Sequence, residues 1–380
     1  MLIKNGLVYT DKCTFENIDI LIENGKITEL GKICTDDKEI IDASGYIVSP
    51  GFIDIHFHGC NGYDICDNTK ESLIEIAKYE LCSGITSICP YTMTLEVEEL
   101  QSILKNINEY INSDLNNKYS TYVGVNMEGP FISKKRKGAQ DEKYILPCDI
   151  DIFDKLYKAS GENIKIFGFA PEASDSDKFI EYAKTKTNLS IAHSDISYED
   201  AKEAFNKGVN HVTHMYNAMR DISKRDPGVV LASYESPFTT CELIADGIHT
   251  HPSIVKMTID LFKSDRIIII SDSMRATGLG DGNFTLGGLD VEVKNGIAHN
   301  KGTNTIAGGV NNLTQIIKRM YVDMKIKLED IIKMATINPA KKLNIDNKVG
   351  SITTDKNADI IIFDKNIDIK HVIKNGVIVK

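Results

Sequence analysis

Six side chains that could bind a metal ion stand at or near the ends of short apolar runs. The first run ends in His56 and His58, which are two residues apart and therefore share one face of an extended strand. Later apolar runs end in Glu128, His193, His214 and Asp272. Imidazole and carboxylate groups in this combination suit a divalent transition metal such as zinc or iron. The sequence therefore predicts a metal centre.

Each of these residues also has an ordinary structural explanation. A single histidine at a strand end is more often a hydrogen-bonded polar residue than a ligand, and either carboxylate could cap a helix or pair with a cation. Four histidines and two carboxylates at matching positions are hard to explain in that way. His211 is a separate case, because the period of two places it on the opposite strand face from His214, and we expect a structural role for it.

The central part of the chain must bring these residues together. From about residue 50 to about residue 344, short apolar strands alternate with amphipathic helices, which predicts a (β/α)8 barrel with catalytic residues at the C-terminal strand ends. We expect strands over residues 52–58, 86–89, 122–128, 165–170, 189–193, 211–214, 240–245 and 266–272. A Gly- and Asn-rich stretch interrupts the alternation, and we expect a β-hairpin insertion near residues 280–303.

Both ends of the chain have a different character. Residues 1–50 and 346–380 contain short β-rich segments, with tight-turn signals at Asn24-Gly25 and Asn375-Gly376. We expect these two segments to form one small β-sandwich domain, and residues 51–345 to form the barrel. The predicted fold class is α/β: a (β/α)8 TIM barrel with a small β-sandwich domain built from both termini.

The overall charge excludes some classes of partner. The 380 residues include 44 basic and 54 acidic side chains, a formal net charge of −10, which argues against binding to nucleic acid or to an anionic membrane. The N-terminus has no signal-peptide pattern, and the apolar runs are too short to cross a bilayer. The eight cysteines include no C-x-x-C pair, so we expect reduced thiols and a cytoplasmic protein.

Several motifs resemble those of the amidohydrolase superfamily. The opening motif is Pro-Gly-Phe-Ile-Asp-Ile-His-Phe-His at residues 50–58, and the closing motif combines Asn-Pro-Ala at 338–340, Gly-Ser-Ile at 350–352 and Ala-Asp at 358–359. Asp355 departs from this pattern, since relatives usually have Gly there. Further motifs resemble the N-acetylglucosamine-6-phosphate deacetylase family within the superfamily. They are Glu-Gly-Pro-Phe at 128–131, Lys-Gly-Ala at 137–139, His-Met-Tyr-Asn-Ala-Met at 214–219, Asp-Gly-Ile-His at 246–249 and Ser-Asp at 271–272.

The resemblance implies a metal-dependent enzyme of amino-sugar catabolism and cell-wall recycling. It would hydrolyse the acetamide of N-acetyl-D-glucosamine 6-phosphate to D-glucosamine 6-phosphate and acetate. Glu128, His193 and His214 would bind the catalytic metal. Because His56 and His58 are retained, a second metal is also implied, with Glu128 bridging the two. Zinc is the expected metal, and iron or another transition metal is the alternative.

The resemblance also implies roles for residues around the metals. Asp272 would take a proton from water and return it to the leaving amine. Gln140 stands where some members have His and could contact the acetyl group, although an ordinary loop role fits equally well. The implied substrate contacts are Asn217, Ala218, Arg225 and His249 for the phosphate and Ala307 near the sugar. In relatives two of these, Arg225 and His249, reach across a subunit interface, so a homodimer is expected.

Other functions are compatible with parts of this pattern. The galactosamine isomer of the substrate would require only changes in the cavity. A cyclic-amide hydrolase would use a carboxylated lysine as bridging ligand, but Lys165 begins a predicted strand instead of ending it. A catalytically inactive interaction protein of the same fold would be expected to lose ligands, and all of them are present. The basic run at residues 134–137 fits either anion steering or a solvated loop.

Overall fold

The centre of the molecule is a barrel of eight parallel strands, β1 to β8. The computed structural model describes residues 1–35 and 38–380. The barrel strands are Phe52–Asp54 (β1), Ile85–Ile88 (β2), Val125–Glu128 (β3), Ile164–Phe169 (β4), Asn188–Ile191 (β5), His211–Val212 (β6), Thr240–Leu243 (β7) and Ile267–Ile269 (β8). The ring closes after β1 and β8, where the Asp272 N–H donates to the His56 carbonyl over 2.9 Å. The predicted α/β barrel is therefore confirmed.

The barrel strands are shorter than the sequence predicts. The expected third strand is divided into Thr121–Tyr122, which pairs with β2, and β3, which pairs with β4. Between the two parts stands Gly124, whose φ of 153° is open mainly to glycine. An isolated bridge between Tyr91 and Asn126 connects the β2 side of the ring to β3. Several predicted site residues therefore lie in loops that follow the strands.

Amphipathic helices cover the outside of the barrel. In the described part of the chain they are Lys70–Cys82 (α1), Val97–Ile111 (α2), Ile150–Ala159 (α3), Asp177–Ala183 (α4), Tyr198–Lys207 (α5), Gly228–Glu235 (α6), Pro252–Phe262 (α7), Leu313–Val322 (α8), Leu328–Ala335 (α9) and Ile337–Lys342 (α10). α5 illustrates the local signals: the Ser197 side chain accepts from the Asp200 N–H at its start, and Gly208 follows its end. Within the described residues, no helix combines the length and apolar character needed to span a bilayer.

The strands of the two chain ends form two sheets beside the barrel. In spatial order, the first contains Lys26–Gly31, Asp19–Glu23, Leu2–Lys4 and Ile40–Asp42. The second contains Val377–Ile378, Ile369–Lys374, Ile360–Phe363, Ile47–Pro50, Leu7–Tyr9 and Phe15–Asn17. The second sheet joins N- and C-terminal segments, as the sequence predicts, and apolar residues of both sheets, including Ile20 and Ile362, share one core.

The insertion is larger than the predicted hairpin. Gly282–Leu286, Leu289–Lys294 and Ile297–Asn300 form a three-stranded antiparallel sheet. The missed third strand follows an Asn295-Gly296 turn, where both residues have positive φ as a tight hairpin requires. Beyond this sheet, Gly309 pairs with Ser273, which brings the preceding loop to the mouth of the barrel.

Candidate metal centre and active site

The six predicted metal-binding and catalytic residues meet at the C-terminal mouth of the barrel. Glu128 ends β3, whereas His193, His214 and Asp272 lie two or three residues beyond β5, β6 and β8. These three residues have positive φ angles of 46°, 29° and 49°. Such a conformation costs a non-glycine residue about 1–3 kcal/mol and is concentrated at functional sites. The turn after each strand, and not the pleat of the strand, therefore sets the direction of these side chains.

His56, His58 and Asp272 form the first group of potential ligands. The Nε2 atoms of His56 and His58 lie 3.3 Å and 3.2 Å from the same oxygen, Oδ1 of Asp272. All three side chains are buried. The group therefore presents two imidazole nitrogens and a carboxylate to one small space.

Glu128, His193 and His214 form the second group. Oε1 of Glu128 lies 2.5 Å from Nε2 of His193 and 3.6 Å from Nε2 of His214. The two Nε2 atoms are 3.1 Å apart. The other Glu128 oxygen, Oε2, is 3.6 Å from Nε2 of His58 in the first group. One carboxylate thus stands between the two groups, as a bridging ligand would.

Contacts on the far side of three histidines determine which ring nitrogen carries the proton. These Nδ1 contacts are His56 to the Glu242 carboxylate at 2.7 Å, His58 to the Tyr91 carbonyl at 3.1 Å and His193 to the Arg136 carbonyl at 2.9 Å. An ionised carboxylate and a carbonyl can only accept a hydrogen bond, so each Nδ1 donates and each neutral ring has its lone pair on Nε2.

These Nε2 lone pairs face one another and the carboxylate oxygens. Groups that can only accept hydrogen bonds repel each other at such distances unless a cation lies among them. Nε2 of His56 and Oε2 of Glu128 are buried and have no hydrogen-bond partner among the described residues. Because imidazole nitrogens and carboxylate oxygens are ligands of divalent transition metals, the residues present fit the predicted metal.

The surroundings lower the pKa of both carboxylates of the centre. Burial alone would raise the pKa of Glu128. The neighbouring His193 lowers this pKa by a larger amount, so the net pKa lies well below its ordinary value. Burial also raises the pKa of Asp272, and the imidazoles of His56 and His58 beside it again produce a large net decrease. The ionised form of each carboxylate is therefore favoured, which is the form that a metal ligand needs.

A cavity of about 390 Å³ opens over the two groups. Besides residues of the centre, its lining includes Met93, Gln140, Asn217, Ala218, His249, Leu286, Thr305 and Ile306. This volume suits a small metabolite. Larger hollows of about 640 Å³ and 920 Å³ lie elsewhere and contain none of the six residues, so the chemistry of its lining, not size, identifies the candidate site.

Gln140 is part of this cavity wall. Its Oε1 accepts a hydrogen bond from the Thr94 N–H over 2.8 Å, which fixes the orientation of the amide. Its Nε2 then faces Met93 Sδ at 3.6 Å, a weak acceptor. The side chain is buried and keeps a donor available to a ligand. Of the two interpretations that the sequence leaves open, the geometry favours a ligand contact.

The other predicted substrate contacts are divided between cavity and surface. Asn217, Ala218 and His249 line the cavity, so His249 lies in the site of its own chain and not, as the sequence predicted, in that of a partner subunit. Arg225 lies on an exposed loop and is not part of that lining. Ala307 is fully buried, and the cavity is lined by its neighbours Ile306 and Gly308, not by Ala307 itself. The part of the cavity wall that was predicted at Ala307 is therefore formed by the residues on either side of it.

His249 is held in position by one neighbour. The Asp246 carboxylate lies 2.8 Å from Nδ1 of His249. Burial lowers the pKa of His249, but this carboxylate raises it more, with a net increase. The carboxylate thus favours the charged form of His249, and a charged imidazole at the cavity wall is suited to an anionic group of a ligand.

The basic run at residues 134–137 contributes to the cavity. Lys135 and Arg136 line it, and both pair with Asp195, which also lies 3.3 Å from Arg220. Arg220 has a second carboxylate partner, Asp226. Two cations of the cavity lining, Lys135 and Arg136, are therefore held in place by the Asp195 carboxylate just outside that lining.

Sequence reasoning missed Glu242. It lies on β7, is fully buried and contacts His56. The available signal was a carboxylate inside the apolar run Cys-Glu-Leu-Ile-Ala at residues 241–245. His211 is buried beside it, with Nε2 3.2 Å from Oε1 of Glu242. The argument that His211 and His214 lie on opposite faces of one strand does not apply, because β6 ends at Val212. His211 nevertheless lies outside both ligand groups.

A parallel barrel with a His and carboxylate centre at its mouth is an architecture of metal-dependent hydrolases. Residues 47–379 match the amidohydrolase family, and the chain belongs to that family. It is 32% identical over 378 residues to N-acetylglucosamine-6-phosphate deacetylase of Lysinibacillus sphaericus, an alignment that covers 99% of this chain and 97% of the relative. This similarity places it among the N-acetylglucosamine-6-phosphate deacetylases of the family, as its motifs suggested.

Solved structures agree with this assignment. The N-acetylglucosamine-6-phosphate deacetylase of Thermotoga maritima superposes with a TM-score of 0.89 at 28% identity, covering 100% of this chain and 99% of that one. A mutant enzyme of the same name from Mycobacterium smegmatis, in complex with N-acetyl-D-glucosamine-6-phosphate, has a TM-score of 0.93, with the same coverage. At 24% identity, the second comparison supports the fold alone.

Proposed function

We propose that this chain hydrolyses the acetamide of N-acetyl-D-glucosamine 6-phosphate to D-glucosamine 6-phosphate and acetate, in amino-sugar catabolism and cell-wall recycling. The observation that carries the proposal is the convergence of imidazoles and carboxylates beneath a cavity whose lining also includes Lys135, Arg136 and His249. The named activity of the Lysinibacillus relative supports the same substrate.

Two ligand groups support two metal ions. Glu128, His193 and His214 would hold one, and His56 and His58 would hold the second, with Glu128 between them. The donor set favours zinc, with iron or another transition metal as the alternative. When bound, the metal supplies Lewis-acid activation of water and of the acetyl carbonyl.

The chain's own residues move the protons. Asp272 accepts a proton from the attacking water and gives it to the sugar nitrogen as the C–N bond breaks, which leaves a free amine and acetate. Nε2 of Gln140 donates a hydrogen bond to the acetyl oxygen, where negative charge develops. The apolar side chains of Met93 and Leu286 form part of the cavity wall and limit access of further water.

The phosphate needs cations and hydrogen-bond donors. His249 and Asn217, with the backbone at Ala218, are positioned on the cavity wall to supply them. Arg225 lies outside the lining, so we propose that it serves the neighbouring site of a homodimer. Ile222 on the same loop is an apolar side chain with 45% exposure, which supports an interface there. Eight unpaired cysteines support the proposed cytoplasmic location.

The test compares acetate release from N-acetylglucosamine 6-phosphate, N-acetylgalactosamine 6-phosphate and unphosphorylated N-acetylglucosamine, with metal content measured on the same protein. We expect the highest kcat/KM for the first substrate. A higher value for the galactosamine isomer would replace the proposed epimer. A fully metal-loaded protein that releases no acetate from any of the three would refute the proposed activity.

A further inference from the structure

Glu242 is an ionisable residue inside the barrel, below the metal centre. Its exposed fraction is 0%, and its Oε2 lies 2.7 Å from Nδ1 of His56 and 3.1 Å from the backbone nitrogen of His214. Its Oε1 lies 3.2 Å from Nε2 of His211 and 3.3 Å from Nδ2 of Asn126. Four donors therefore meet the four lone-pair directions of one carboxylate.

We propose that Glu242 is a positioning residue for the His56 and His58 metal site: it holds the proton of His56 on Nδ1 and so directs the Nε2 lone pair at the metal. The inference rests on the metal requirement of the proposed function. A carboxylate that accepts from the far nitrogen of a metal-binding histidine fixes its tautomer and ring orientation and makes it a stronger ligand.

The buried charge of Glu242 is a second argument for a cation near His56. An ionised carboxylate is costly to bury without a countercharge. Among the described residues, the partners within ion-pair distance of Glu242 are the imidazoles of His56 and His211, and the buried Lys342 interacts with it only at longer range. Neutral imidazoles supply hydrogen bonds but no charge. A divalent cation on Nε2 of His56 would supply that charge one ring away.

The same carboxylate connects the two ligand groups. His56 belongs to the first group and His214 to the second, and both donate to Oε2 of Glu242. The contact to His214 is through its backbone N–H, at a residue with left-handed φ of 29°. The His214 ring is not oriented by Glu242, because the contact involves only the backbone. We therefore expect the effect of Glu242 to fall mainly on the His56 site.

The experiment is metal titration of the stripped protein with Zn²⁺ or Co²⁺, in wild type, Glu242→Gln and Glu242→Leu. We expect wild type to bind two equivalents. Glu242→Leu should bind the first normally and the second about 10- to 100-fold more weakly. Glu242→Gln, which can still accept from His56 but carries no charge, should be intermediate. Cobalt absorption reports the ligand field of each bound ion.

Glu109→Gln is the control, because it removes one acidic side chain at an exposed position on α2, outside both ligand groups. Thermal melting separates folding from metal binding, because each protein is compared with its own metal-free form: Glu242→Gln should gain less melting temperature on metal addition than wild type. Unchanged binding of the second ion by Glu242→Gln and Glu242→Leu would overturn the proposal. If Glu242→Leu does not fold, unchanged binding by Glu242→Gln is sufficient to do so.

Metal affinity is measured without turnover, so the two proposals can fail separately. A protein that needs Glu242 to bind its second ion but releases no acetate would contradict the proposed activity and leave the role of Glu242 intact. A deacetylase whose second ion binds equally well without Glu242 would give the opposite result.

Discussion

Nε2 of His58 lies 3.2 Å from Oδ1 of Asp272, so the loop after the first barrel strand and the loop after the last meet at the metal centre. Backbone contacts fix this meeting, since the His58 N–H donates to the Ser273 carbonyl over 2.7 Å. The contacts that close the barrel between its first and last strands therefore also bring His58 and Asp272 together at the metal centre. Asp272 is held at the edge of the centre, where a water molecule could reach it.

Asp272→Asn should lower kcat by about 10²- to 10⁴-fold, because the amide keeps the shape of the side chain but cannot accept and return a proton. The site of Glu128, His193 and His214 should keep its metal. Steady-state kinetics and metal analysis of the same sample test both statements. Asp265→Asn, at an exposed carboxylate paired with Lys333, is the control. Near-normal kcat in Asp272→Asn would show that another group accepts the proton.

Gln140→Ala should lower kcat by about 10²- to 10³-fold with little change in KM, if its Nε2 stabilises negative charge that appears only in the transition state. Gln140→His, whose ring can also donate, should retain more activity. Gln101→Ala on α2, away from the cavity, controls for loss of an amide. If Gln140→Ala instead raises KM at constant kcat, Gln140 contacts the bound substrate but does not stabilise the transition state.

Arg225→Ala should raise KM for the phosphorylated sugar much more than for unphosphorylated N-acetylglucosamine, because it removes a charge that only the phosphate uses. Its placement outside the cavity lining allows a sharper test. Mixed dimers of Arg225→Ala and Asp272→Asn chains should regain a normal KM, since the Asp272→Asn chain supplies the missing arginine to its partner's intact site. A KM that stays high in the mixed dimers would place Arg225 in its own subunit's site.

Patterns that depend on short distances along the chain predicted the fold well. Alternating strands and helices gave the barrel, and ligand types at strand ends gave the six residues that meet at its mouth, whereas their division into two groups came from the family resemblance. The sequence was less informative where contacts join distant segments. In the sequence, Glu242 is one acidic residue within an apolar strand. Its role can be inferred only from the structure, in which β7 brings it into contact with His56, 186 residues earlier in the chain.

Backbone conformation also limited what the sequence could predict. The face argument treats residues 211–214 as an extended strand, but His214 is left-handed and β6 has already ended. The divided third strand has a similar cause at Gly124. In contrast, the third strand of the insertion was predictable, because Asn295-Gly296 is the same turn signal that was recognised at Asn24-Gly25.

The buried Glu80 on α1 makes the free energy of unfolding of the protein depend on pH. It is buried, and its Oε2 has no hydrogen-bond partner among the described residues. Burial, reinforced by the charge of Asp54, raises its pKa to about 8. At pH values between the ordinary pKa of a glutamate and this raised value, Glu80 is protonated in the folded chain but ionised in the unfolded chain. The contribution of Glu80 is therefore most favourable below the unfolded pKa and is lost as pH rises through about 8.

Glu80→Gln should remove this dependence, since the amide resembles the protonated carboxyl and does not ionise. Relative to wild type, the variant should gain stability between pH 5 and pH 9, with an upper limit of about 1.4 kcal/mol for each unit of pKa shift removed. Urea unfolding at the two pH values measures the difference. Glu109→Gln, at an exposed position on α2, controls for the general effect of removing one acid. If Glu80→Gln and Glu109→Gln show the same pH dependence as wild type, the pKa of Glu80 is not raised in the folded protein.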